Sequence, residues 1–118
     1  MESYELTKTV ARLLDNKKAV DIRAVKVRDL TILADYFIIA TGTSSTQVKA
    51  LVDEVEFQLK QMDITPQRVE GYRGGAWILL DYATVVVHIF YGETRDFYDL
   101  ERLWSDGEQL NLEELLSE

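Results

Sequence analysis

The amino-acid sequence predicts an α/β (α+β) fold, in which helices lie on both faces of a mixed sheet of about five strands. Two apolar runs, residues 36–41 and 84–90, lack polar alternation, which is typical of strands covered on both faces. Residues 44–62 instead carry apolar side chains at the helical period. A length of 118 residues with 47% hydrophobic side chains fits one compact domain, residues 1–118.

The N-terminal elements are predicted from the spacing of their apolar residues. We expect Ser3 to cap a first helix that carries one apolar stripe. The stripe consists of Leu6, Val10, Leu13 and Leu14. Residues 20–24 then alternate, with Val20, Ile22 and Ala24 apolar, which predicts a half-buried strand.

The clearest helix follows the apolar run at residues 36–41. Ser44 and Gln47 have the spacing of a capping box, in which two side chains satisfy the first backbone amides. An apolar stripe continues from Val48 to Met62, and the helix must end before Pro66, because proline disfavours helical geometry in the residue before it.

The remaining chain predicts a hairpin followed by short helices. Residues 68–70 fit a short strand, and residues 76–80 and 84–90 an antiparallel pair that turns at residues 81–83. The second strand of the pair should be central, because both of its sides are apolar. Residues 94–104 and 110–116 predict two terminal helices, the last capped by Asn111.

Charge and composition exclude several classes of function. Thirteen basic against twenty-one acidic residues give a net charge of -8, which disfavours direct binding to nucleic acid or to an anionic membrane and favours a basic protein partner. The chain has no cysteine, so it lacks disulfides, thiol nucleophiles and cysteine metal ligands. We expect a cytoplasmic protein, since this composition fits a reducing compartment.

Few residues are candidates for chemistry. His88 is the only histidine and falls in a predicted buried strand, so we expect a core or subsurface histidine with its hydrogen bonds satisfied rather than a ligand. Residues 41–45 join a strand to a helix, where backbone amides can hold an anion, but no glycine-rich phosphate motif is present. A nucleotidyltransferase would place two metal-binding aspartates soon after Gly42, whereas the first acid is Asp53. We therefore expect no catalytic residue, metal or cofactor.

Aromatic residues crowd the last third of the chain. Tryptophan and tyrosine beside acids are typical of protein-docking surfaces, although core packing is the alternative for each ring. The aromatic set comprises Trp77, Tyr82, Tyr91, Phe97, Tyr98 and Trp104. Asp96, Asp99 and Glu101 fit an acidic, solvated helix face better than a carboxylate dyad.

Six blocks of residues resemble the ribosomal silencing factor family, also called the Iojap-related family. In chain order the blocks read ADYFIIATG (34–42), QV (47–48), EG (70–71), WILLDY (77–82), VVVHIF (85–90) and FYDLERLW (97–104). Two sites depart from the family's usual residues: the family often has an arginine where Thr46 stands and a Gly-Asp turn where Ala83-Thr84 stand.

This resemblance implies a fold similar to a nucleotidyltransferase without its catalytic acids, and a function in translation rather than catalysis. Members bind the fourteenth protein of the large ribosomal subunit (uL14) and block joining of the small subunit. A degenerate or metal-dependent nucleotidyl- or phosphotransferase is the alternative. We also expect a homodimer in free solution, because exposed aromatic patches tend to find partners.

The docking site is predicted from the alternation of one strand. Trp77, Leu79 and Asp81 fall on one face, which offers an indole, an aliphatic shelf and a carboxylate in a row, provided that this face points outward. The complete set of predicted partner-binding residues is Trp77, Leu79, Asp81, Tyr82, Tyr98, Asp99 and Trp104. We expect the acids to meet lysine or arginine of the partner.

Overall fold

The computed structural model describes residues 1–92, 94–95 and 99–117. The helices are α1 (Ser3–Asn16), α2 (Ser45–Lys60), α3 (Leu100–Leu103) and α4 (Leu112–Leu116). The strands are β1 (Val20–Lys26), β2 (Tyr36–Gly42), β3 (Arg68–Glu70), β4 (Trp77–Asp81), β5 (Val85–Tyr91) and β6 (Glu108–Gln109). Within the described residues, no helix has the length and apolar character that crossing a membrane requires.

The strands form one mixed sheet in the order β3-β4-β5-β2-β1-β6. Strands β2 and β5 pair in parallel, and the other neighbours are antiparallel. The predicted mixed sheet, the hairpin of β4 and β5 and the central place of β5 are all confirmed. The sheet has six strands rather than five because the two-residue β6 adds to the edge of β1.

The larger core lies on the first face of the sheet, beneath α1, α2 and α4. The α1 stripe packs there through Leu6, Val10 and Leu14, with Leu13 partly buried beside them. Burying several such side chains contributes about 1.5–3 kcal/mol each, which makes this layer the main source of stability. Packing in this layer therefore fixes how α1, α2 and α4 lie on the sheet.

The second face of the sheet is covered only in part. Two small clusters lie on it, one containing Phe37, Val86 and Trp104, and the other containing Phe90 and Leu100. Leu100 and Trp104 bring the short α3 segment over the β2 side of this face. Among the described residues, the helices expected on both faces are thus very unequal, and Leu79 and Asp81 of β4 stay partly exposed on the second face.

The predicted helix ends are correct at two sites and wrong at two. Ser44 accepts a hydrogen bond from the amide of Gln47, and Asn111 accepts one from Glu114, as expected of caps. Ser3 is the first residue of α1 rather than its cap, and its hydroxyl accepts from Arg28 instead. The α2 stripe stops at Leu59, because the helix ends at Lys60 and leaves Met62 exposed.

Two other expectations are corrected by the backbone. A bulge between Val20 and Arg23, where Asp21 has φ 51°, breaks the alternation of β1 and leaves Val20 exposed. The helix predicted over residues 94–104 is not continuous, because Asp99 has φ 48° and α3 starts only at Leu100. Residues 96–98 of that prediction lie outside the described residues.

Ala83 occupies the hairpin turn with φ 71°, a left-handed conformation that favours glycine. We expect Ala83→Gly to raise the free energy of unfolding by about 0.5 to 1 kcal/mol, since relief of backbone strain exceeds the entropy that glycine adds to the unfolded chain. Urea denaturation measures this change. Ala50→Gly is the matched control: Ala50 is exposed on α2, where glycine should destabilise by about 1 kcal/mol. Destabilisation by both changes would contradict the turn geometry.

Candidate functional site

Strand β4 places Trp77, Leu79 and Asp81 on the second face, and each is partly exposed. The intervening Ile78 and Leu80 are fully buried in the larger core. The alternation predicted from the sequence is therefore confirmed, and it turns the indole, the aliphatic side chain and the carboxylate toward the incompletely covered side of the sheet. Antiparallel pairing sets Trp77 opposite Phe90, Leu79 opposite His88 and Asp81 opposite Val86.

Trp77 is held by neighbours on the same face. Its ring stacks on Phe90 with centroids 5.2 Å apart, and its Nε1 donates a hydrogen bond to Nδ1 of His88 at 3.1 Å. Leu100 of α3 packs in the same cluster. Position 71 is a glycine because the backbone of β4 passes close to it: a Cβ there would lie 2.1 Å from the Trp77 carbonyl oxygen. The indole is thus fixed in orientation while part of it faces outward.

Leu79 lies between two shallow depressions of the second face. One, of about 230 Å³, is formed by Glu70, Gly71, Trp77 and Leu79. The other, of about 190 Å³, is here called the Leu79 depression; its apolar lining is Leu33, Phe37, Leu79 and Val86. Its polar lining is Arg68, Asp81 and His88. An apolar floor with a few polar groups is the usual composition of a recognition surface.

Asp81 already has a cationic partner within the chain. Arg68 of β3 reaches its Oδ2 through Nε at 3.2 Å and Nη2 at 3.1 Å, while the amide of Ala83 donates to Oδ1 at 2.8 Å. The side chain of Asp81 is 14% exposed against 61% for Arg68. Asp81 was expected to offer its carboxylate to a cation of the partner. In the structure this carboxylate is already paired with Arg68, whose side chain is the more exposed of the two.

The other predicted docking residues are dispersed. Trp104 packs edge-on against Phe37 of the second face, with centroids 5.1 Å apart. Asp99 directly precedes Leu100 at the margin of that face. Tyr82 is only 7% exposed and packs in the larger core on the first face, where burial and, next, Glu56 raise the pKa of its hydroxyl. Tyr98 lies outside the described residues. Tyr82 therefore does not extend the row of Trp77, Leu79 and Asp81.

Two parts of this surface were not predicted from the sequence. Arg68 joins it through the register of β3 against β4, which pairs Arg68 with Asp81. The loop before β2 adds Leu33, which is 74% exposed, together with the exposed Leu30 and Ile32. Three exposed aliphatic side chains in four residues are unusual for a loop and give a signal that periodicity does not detect.

The turn at the start of α2 shows the features of an ordinary cap. Oε1 of Gln47 accepts from both the amide and the hydroxyl of Thr43, and Ser44 accepts from the Gln47 amide. These contacts occupy the amides of Thr43 and Gln47, two of those that could otherwise face an anion. In the described part of the chain, no group of three or more histidine, aspartate or glutamate side chains is arranged to hold a metal ion.

His88 is buried, as expected, but its hydrogen bonds are not all satisfied, because Nε2 has no partner among the described residues. Burial lowers the pKa of its imidazole from 6.5 to about 4. Between these two values the unfolded chain binds a proton that the folded chain does not, so acidification favours unfolding. We expect this residue to lower the free energy of unfolding by about 2 kcal/mol on going from pH 7 to pH 5. Urea denaturation at both values should show a smaller decrease for His88→Gln; an equal decrease would contradict the neutral, buried imidazole.

Comparison with known proteins identifies the family to which this arrangement belongs. A family model described as "Ribosomal silencing factor during starvation" (RsfS) matches residues 1–118. The chain belongs to the ribosomal silencing factor family. A relative named "Ribosomal silencing factor RsfS" from Halalkalibacterium halodurans is 35% identical over 117 residues, covering 99% of this chain and 100% of the relative. One of the same name from Bacillus subtilis is 35% identical, covering 96% of each chain.

Solved structures of similar proteins share the fold of this ribosomal silencing factor. A crystal structure of a protein from Chromobacterium violaceum matches with a TM-score of 0.87 and 38% identity, covering 94% of this chain and 92% of that one. One from Bacillus halodurans matches with a TM-score of 0.81 and 33% identity, covering 91% of this chain and 97% of that one. The resemblance seen in the sequence and the predicted mixed α/β fold are both confirmed, and the family name assigns the chain to translation regulation.

Proposed function

We propose that this ribosomal silencing factor binds the large ribosomal subunit through uL14 and thereby blocks joining of the small subunit. The observation that carries the proposal is the partly exposed row of Trp77, Leu79 and Asp81 on the second face. Leu79 lies there between two depressions, with Trp77 fixed on one side and the exposed loop residue Leu33 on the other. A surface of this kind supplies the aromatic and aliphatic anchors from which most binding energy derives.

Charge supports a basic partner over the ribosomal RNA. The chain has a net charge of -8, so its overall field repels phosphate and attracts lysine- and arginine-rich protein surfaces. Because Asp81 is neutralised locally by Arg68, this attraction comes from the whole chain more than from the row itself. Its effect should fall mainly on the rate of association, whereas the apolar contacts determine the rate of dissociation.

Blocking by occlusion requires no catalytic group. A bound domain of 33 × 33 × 27 Å fills space that the small subunit needs if uL14 lies at the contact between the subunits. The function therefore depends only on tight docking in the right place. Density-gradient sedimentation of purified subunits tests the docking step: the protein should migrate with the large subunit and not with the small one. Migration with neither subunit, or equally with both, would contradict the proposal.

We also propose that two copies of the free protein pair through the same apolar surface. Leu33 and Ile32 are largely exposed beside the Leu79 depression, and exposed patches of this kind favour self-association. Light scattering should then show a dimer that dissociates on dilution, and Leu79→Arg should convert it to a monomer. A monomer at all concentrations, or a dimer unaffected by this change, would contradict self-pairing through this surface.

A further inference from the structure

His88 presents a buried hydrogen-bond donor at the centre of the second face. Its ring is 4% exposed and packs edge-on against Phe37, with centroids 5.0 Å apart. On its other side lies Trp77, which donates to Nδ1 at 3.1 Å. Because Nδ1 accepts this hydrogen bond, the proton of the neutral imidazole is on Nε2.

The Nε2 proton has no acceptor among the residues that the structure describes. Buried polar atoms nearly always have a hydrogen-bond partner, so a donor left without one requires an explanation. The nearest polar residues of the Leu79 depression do not provide it. Arg68 carries only donors, and the carboxylate oxygens of Asp81 accept from Arg68 and from the Ala83 amide.

His88 also forms part of the wall of the Leu79 depression. His88 therefore lies beside an apolar depression of the second face, between Leu79 and Phe37, and its Nε2 is buried at the edge of that depression. A molecule that fills this depression meets aliphatic and aromatic carbon on most sides and one polar atom in need of an acceptor. This combination selects for a particular chemistry in whatever docks there.

We propose that Nε2–H of His88 is the recognition donor of the docking surface, and that it binds a neutral carbonyl oxygen of the ribosomal-protein partner inserted into the Leu79 depression. A lysine or arginine side chain does not fit, since it would place a donor against a donor and a charge beside Arg68. A backbone or amide carbonyl next to an aliphatic side chain matches both the donor and the apolar lining. This inference rests on the proposed function and names the chemistry of its contact.

Nuclear magnetic resonance of the histidine ring tests the contact directly. In the free protein, ¹⁵N shifts should identify the tautomer protonated at Nε2. After addition of purified uL14, the Hε2 resonance should move downfield and its exchange with water should slow. If the protein binds uL14 while this resonance and its exchange stay unchanged, the inference is overturned and the proposed function stands. If uL14 and large subunits do not bind at all, the proposed function fails with it.

Two matched substitutions separate recognition from packing. The amide nitrogen of Gln in His88→Gln reaches the position of Nε2 and keeps a donor there, whereas the shorter side chain of His88→Asn keeps only an acceptor near Nδ1 for Trp77. We expect His88→Asn to weaken uL14 binding about tenfold and His88→Gln less than about threefold. Thermal melting monitors the packing of both variants. Equal affinities for the two variants, or affinities that follow their melting temperatures alone, would overturn the inference.

Discussion

Leu79→Arg is expected to abolish binding to the large ribosomal subunit, with a loss of affinity of about a hundredfold or more. The substitution places a cation between the two depressions of the second face, where it repels a basic partner and replaces the aliphatic anchor. The fold should survive, because Leu79 is only partly buried and the arginine stem can lie along the surface with its charge in water. Sedimentation with large subunits measures the binding, and circular dichroism confirms the fold.

Phe57→Arg is the matched control for this change. Phe57 is an apolar residue of α2 that is 58% exposed, and α2 packs on the first face, across the sheet from Leu79. The two variants therefore carry the same added charge on opposite sides of the molecule. Phe57→Arg should bind large subunits nearly as the unmodified protein does. Equal losses for both variants would show that net charge, and not the Leu79 surface, determines docking.

Trp77→Ala is expected to have two large effects. The change removes the ring that stacks on Phe90 and leaves Nδ1 of His88 without its donor, so the free energy of unfolding should fall by about 3 kcal/mol. For a domain of this size the melting temperature should fall by roughly 10 °C or more. Binding to large subunits should weaken at least about thirtyfold, as for other central aromatic anchors.

The loss of stability and the loss of binding in Trp77→Ala can be measured separately, by choosing the temperature and by comparison with Trp77→Phe. Binding is measured well below the melting point of the variant, where circular dichroism shows it to be folded. Trp77→Phe replaces the indole by a smaller aromatic ring that can still stack on Phe90 but has no N–H, so this variant should retain much of the stability. A folded Trp77→Ala protein that still sediments with large subunits would refute the docking role, and an unchanged melting temperature would refute the packing.

The elements that sequence analysis predicted best are those whose pattern is set by burial along one segment. Strands β2 and β5 are apolar on both faces and occupy the centre of the sheet, and Ser44 caps α2 through contacts within four residues. Strand β6 could not be predicted in this way. Glu108 and Gln109 are exposed and polar, and they form a strand only because they pair with Lys26 and Val25.

The candidate site was predicted where it depends on alternation and missed where it depends on distant pairing. Trp77, Leu79 and Asp81 follow from the period of a single strand. The Arg68–Asp81 ion pair requires the register of two strands joined by a long loop, and no local pattern encodes that register. Tyr82 was misplaced because the same alternation was not continued by one residue: Tyr82 follows Ile78 and Leu80 in steps of two and, like them, is buried in the larger core.

A subunit-joining assay shows whether the bound protein keeps the small subunit away from the large one. Large subunits are incubated with the protein, small subunits are then added, and the fraction of whole ribosomes is measured by light scattering or density-gradient sedimentation. Occlusion through the second face predicts that the unmodified protein and Phe57→Arg reduce whole ribosomes in proportion to the large subunits they occupy, while Leu79→Arg has no effect. Whole ribosomes that form normally on large subunits still carrying the protein would contradict the account.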